Sequence, residues 1–135
     1  MYERRSVSRR RFESLVRRAL KDLPAEFAGR LENIDIVVRA RANDDQIRAG
    51  KTQPRQTLLG LYVGTDLTRR GYGYNFALPD RIFIFQQPLE RIARDEEHLT
   101  ELVRHTVLHE LAHHFGIDDD RLHEIGRYYP MESAR

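Results

Sequence analysis

Residues 97–119, EHLTELVRHTVLHELAHHFGIDD, hold five of the six histidines in the 135-residue chain and decide how the rest of it reads. Between 97 and 115 there is neither Gly nor Pro, which predicts one continuous helix. At 100° per residue, Leu102, Thr106, His109 and His113 fall on one side, and Leu108, Leu111, Ala112 and Phe115 on the other. Apolar residues nearly all round predict a buried helix, whose histidines then need partners.

His109-Glu110-Leu111-Ala112-His113 is an HExxH pattern. Histidines at i and i+4 project one turn apart on one face, so a nitrogen of each can come within about 2.0–2.1 Å of a common zinc ion. Glu110 lies on the flank of that face. It is poorly placed as a ligand but within reach of a metal-bound water, whose proton a carboxylate accepts as the water attacks a carbonyl. Counting on from His109, Gly116 is the eighth residue and Asp119 the eleventh, which extends the pattern to HExxHxxGxxD. Gly116 suits the left-handed conformation that ends a helix and turns the chain back, and the return offers Asp119 as a third, oxygen ligand. Three protein ligands leave a fourth position for water, the arrangement of a catalytic site. Asp118, Asp119 and Asp120 also read as caps for a last helix over 121–128, and Glu124 and His123 are alternatives for the third ligand. His114 points away from the His109/His113 face and is expected to pack against or support the site. A His₂Asp set also accepts Mn, Co or Ni.

Upstream, the pattern is helices, then strands. Apolar Phe12, Leu15, Val16, Ala19, Leu20 and Leu23 recur at helical spacing over 8–23, with arginines opposite them on a solvated face. Pro24 opens a short helix to about residue 31 as its first helical residue. Strands are expected at 34–40, 57–64 and 81–86, and a polar loop at 41–56. Gly60, inside the second strand, marks a bulge or a close backbone approach. The third strand alternates Ile82 and Ile84 with Phe83 and Phe85, apolar on both faces, which predicts a central strand. Residues from Pro88 return to helix. This order describes an α+β domain, a small mixed sheet backed by helices.

Composition narrows the class. The absence of cysteine excludes disulfide scaffolds, zinc ribbons, iron–sulfur sites and a thiol nucleophile, so a metal must be held by His, Asp or Glu. Hydrophobic residues make up 40% and charged residues 33%, no apolar run approaches the roughly 18 residues of a membrane span, and the N-terminus lacks the apolar stretch of a secretory signal. A cytoplasmic, unprocessed chain of one domain over 1–135 is expected. Net charge is +2, with nine Lys/Arg against four Asp/Glu in residues 1–30. A basic helix face without interleaved exposed aromatics argues against nucleic-acid recognition.

The stretch HELAHHFGIDDDRLHEIGRYY (109–129), with LLGLYVGTDLTRRGYGYNFALPDRIFIFQQPLE (58–90) upstream, resembles the small bacterial zincin-like metallopeptidases over about 34–128. The resemblance implies a minimal zincin fold, zinc held by His109, His113 and Asp119, Glu110 as catalytic base, and a peptide or protein substrate. The metzincins are a more distant comparison, usually with His in the place of Asp119. Sixteen residues follow Asp119, where larger peptidases build a lower cleft wall and a methionine turn; Met131 is read as a packing residue rather than its equivalent. Oxyanion donors are sought among Tyr128, Tyr129, His123, Tyr72 and Tyr74. The enzyme reading is zinc-dependent peptide hydrolysis. Its rival is a proteolytically silent module that keeps the fold and docks a partner through the basic first helix, at Arg9, Arg10 and Arg11. Retention of Glu110 favours the enzyme, because a binding module has no evident need of that carboxylate.

Overall fold

The computed structural model describes residues 7–50, 58–64 and 79–116. Helix α1 spans Arg9–Lys21 and begins where the Ser8 hydroxyl accepts the Arg11 N–H at 3.0 Å, satisfying a donor that no helical carbonyl reaches. Its apolar stripe of Phe12, Leu15, Val16 and Ala19 is buried. Pro24 is the cap of α2 (Ala25–Ala28) rather than its first residue: its ψ of 145° is extended, and its carbonyl accepts the N–H groups of Phe27 and Ala28 at 2.8 and 3.0 Å. A 3-10 turn over Gly29–Asn33 then leads into strand β1, Ile34–Arg39.

The expected loop at 41–56 contains a helix, α3, Asp44–Gly50. The reason is local. Asn43 Oδ1 accepts the Gln46 N–H at 2.8 Å, and Gln46 Oε1 accepts the Asn43 N–H at 2.9 Å, a reciprocal cap that starts a helix without a buried face. No α3 residue is buried, and Ile47 stays 41% exposed, so hydrophobic periodicity carried no signal.

Among the described residues, strands β2 (Gly60–Val63) and β3 (Asp80–Phe85) form with β1 a three-stranded sheet of order β1-β3-β2. The central β3 runs parallel to β1, with Ile36 opposite Ile82 and Val38 opposite Ile84, and antiparallel to β2, with Gly60 opposite Ile84 and Tyr62 opposite Ile82. Its two apolar faces serve two cores. Ile82 and Ile84 are fully buried with α1 and the last helix, while Phe83 and Phe85 cluster with Leu61 on the other side. The chain is thus α+β, a small mixed sheet backed by helices, as its sequence predicts.

Helix α4, Gln86–Ile92, follows β3 without a loop, so Gln86 starts a helix instead of ending a strand. Pro88 is tolerated in the first turn, where no intrahelical carbonyl awaits its missing N–H. The buried Gln86 Nε2 donates to Glu90 Oε2 and to the Val7 carbonyl, both at 2.9 Å, and Glu90 Oε2 also accepts the Val7 N–H at 3.1 Å. Arg9 adds bonds to Gln86 Oε1 and the Val38 carbonyl, each 3.3 Å long. The arginines of α1 are exposed, yet Arg9 and Arg11 are engaged by the fold itself, Arg11 through a 2.6 Å ion pair with Glu96.

Helix α5 spans Glu96–His114, with Asp95 Oδ1 accepting the His98 N–H at 2.8 Å. Leu99, Leu102, Val103, Val107, Leu108, Leu111 and Ala112 are buried against α1 and the sheet. Thr100 and Thr106 are buried too, and their hydroxyls donate to carbonyls four residues back at 2.9 and 2.7 Å, the usual outlet for a threonine inside a helix. The expectation of burial on every side fails in the last turn, where His113 and His114 are exposed. Gly116, with φ of +73°, ends the helix in the left-handed conformation. Among the described residues no helix is long and apolar enough to cross a membrane.

Candidate metal centre

The site begins with a contact that only glycine permits. A Cβ on Gly60 would lie 2.5 Å from Thr106 Cγ2 and 3.0 Å from the Phe83 carbonyl oxygen. Gly60 therefore marks close approach, within regular pairing, and lets β2 press on α5 beside Glu110, whose Cγ is 3.8 Å from the same point. Two residues on, with the period of a strand returning to the same face, the Tyr62 N–H donates to Glu110 Oε1 at 2.9 Å.

Glu110 is largely removed from water, and burial pushes its carboxyl pKa up; the Tyr62 N–H and the nearby His113 oppose that rise without cancelling it. On the same helix the His109 and His113 rings meet with centroids 4.1 Å apart and planes at 51°. His105, one turn earlier, lies nearly parallel to His109 at 6.1 Å. His109 is half-buried and His113 exposed, so the pair opens outward at the end of α5.

His114 turns the other way. Its ring stacks on Tyr62 with centroids 3.9 Å apart and meets Phe115 edge-on at 4.9 Å. The guanidinium of Arg30 sits 4.4 Å from the Phe115 ring centre. The Tyr62 hydroxyl donates to Asp80 Oδ2 at 2.5 Å; burial first, and then the Asp80 carboxylate, raise the phenol pKa well above its ordinary value. Tyr62 and Asp80 were not among the residues singled out from sequence. The available signal was the two-residue spacing from Gly60, which puts Tyr62 on the same face of the strand.

The donors fit a borderline metal such as zinc: two imidazoles side by side, with a carboxylate next to them that is held back by β2. Among the described residues no group of three His, Asp or Glu side chains gathers at one point. The expected third ligand, Asp119, lies outside the described residues, as do Glu124 and His123. The same is true of Tyr72, Tyr74, Tyr128, Tyr129 and Met131.

A family model for zincin-like metallopeptidases matches residues 31–128, which takes in the whole sheet, α5 and the HExxHxxGxxD pattern. The chain belongs to that family. Helix α1 lies ahead of the residues this zincin-like match covers. No curated protein matches the chain.

Proposed function

We propose that this zincin-like protein hydrolyses peptide bonds, with zinc held by His109, His113 and Asp119 and with Glu110 as general base. The observation that carries the reading is at the open end of α5, where two imidazoles with ring centres 4.1 Å apart share a helix turn with a carboxylate held by a backbone N–H. Family membership supports it. Zinc bound there would supply a Lewis acid that polarises the scissile carbonyl and acidifies water. His109 and His113 would hold the ion with Asp119 as the third ligand, Glu124 and His123 being the alternatives. Glu110 accepts a proton from the attacking water and passes it to the leaving amine. The edge of β2 offers an extended peptide or protein segment a strand to pair with.

A silent docking module has less support, because Arg9 and Arg11 are occupied by Gln86, Val38 and Glu96. The test is the metal content of the purified protein beside His113→Ala. Stoichiometric zinc in the wild type and its loss in the variant are expected; equal content in both rejects the site.

A further inference from the structure

Among the described residues β2 is an edge strand, with no strand paired to its outer side. The Leu59 carbonyl accepts the Phe85 N–H at 3.0 Å. Alternation in an antiparallel ladder then turns the polar groups of Leu61 and Val63 toward β3 and those of Gly60 and Tyr62 outward. The outward Tyr62 N–H is taken by Glu110 Oε1, from a residue 48 positions along the chain. A helix carboxylate thus fills the place of a neighbouring strand's carbonyl. An extended peptide pairing with this edge requires the same N–H for a carbonyl of its own, so peptide and Glu110 compete for one donor. Tyr62 is the fixed partner: its hydroxyl is bonded to Asp80 and its ring stacked on His114. Glu110 is the movable one, since rotation of its side chain suffices to break the bond.

We propose that Glu110 is latched to the edge of β2 in the resting protein, and that an extended peptide frees it by taking over the Tyr62 N–H. The carboxylate is then released only where a peptide backbone lies alongside it, and the main chain of Tyr62 is the positioning group. The role of Glu110 as base rests on the peptidase reading above; the exchange of hydrogen-bond partners does not.

Amide hydrogen exchange in the full chain tests the latch. Glu110→Ala removes the acceptor and is expected to speed Tyr62 exchange about tenfold while leaving Leu61 and Val63 unchanged, and Glu110→Gln, which keeps a side-chain carbonyl, to stay within about twofold of wild type. Equal Tyr62 exchange in wild type and Glu110→Ala overturns the latch. The exchange step is read from binding of acetyl-Val-Thr-Val-Lys-Val-Thr-amide to the two variants, neither of which carries a base to cleave it. Glu110→Ala is expected to bind about fivefold more tightly than Glu110→Gln, the equivalent of one neutral hydrogen bond. Equal affinity, a reversed order or no binding to either overturns it. The peptidase reading fails by other measurements, zinc content and wild-type digestion of a peptide library, so the two failures are told apart.

Discussion

Gly60 faces Thr106 across the contact between β2 and α5 so closely that a single added methyl carbon would sit 2.5 Å from the threonine Cγ2. No pair of bonded partners is involved, yet this approach brings the outer edge of the sheet to the level of the HExxH turn and lets a strand N–H reach Glu110. The candidate site is therefore assembled by a missing side chain as much as by those present.

Gly60→Ala should destabilise the protein by about 1–3 kcal/mol, the usual cost of overpacking, and lengthen the Tyr62–Glu110 bond. Thr106→Ser removes Cγ2 and keeps the hydroxyl, so in the double variant part of the loss should return; the Phe83 carbonyl at 3.0 Å prevents full recovery. Urea unfolding of the four proteins in a double-mutant cycle gives the coupling directly. Strict additivity would show that the two residues do not meet.

Glu110→Gln should keep bound metal and lose about 10²–10⁴ in kcat on peptides, the range for removing a positioned general base. Metal analysis and steady-state rates on the same samples check this. Turnover at the wild-type level removes Glu110 from the base role.

The stability that Glu96 contributes is expected to depend on acid pH. Its hydrogen bond with Arg11 holds the carboxyl below its ordinary value of 4.5. A carboxylate depressed in the folded state stabilises above its unfolded pKa, and the contribution fades as pH falls through the folded value. Wild type should thus exceed Glu96→Gln by a constant margin above about pH 5, and the margin should close on acidification. Both side chains are nearly half exposed, so 1 M salt should shrink the difference. Thermal melts from pH 7 to pH 3 decide it; a margin that widens toward pH 3 has the wrong sign.

Glu90→Ala should cost about 1–3 kcal/mol, because it strands one N–H of the buried Gln86 amide and the part-buried Val7 N–H. Faster amide exchange at Val7 should accompany the loss, with α5 unaffected. Unchanged exchange at Val7 would mean that Glu90 does not hold the start of α1.

Much of the fold could be read directly because its signals are short-range or periodic. The stripe of α1 recurs every three to four residues, and RIFIFQ carries apolar residues on both faces, which identifies β3 as central before any partner is known. Helix α3 escaped because an exposed helix has no apolar period; its only mark is the Asn43–Gln46 reciprocal cap. The exposure of His113 and His114 escaped too, since an apolar count along a helix does not reveal where the neighbouring elements stop covering it.

The nearness of His109 to His113 follows from their spacing, as does the left-handed end of α5 at Gly116, because a helical turn and the freedom of glycine are properties of a few consecutive residues. Which donor meets Glu110 does not follow from it. Tyr62 lies 48 residues earlier, and nothing local relates the two positions; they meet because β2 packs on α5 across a glycine. The selection of Tyr62, of its Asp80 partner and of the side on which His114 stacks belongs to long-range packing, where contacts between distant segments are decided by shape rather than by spacing along the chain.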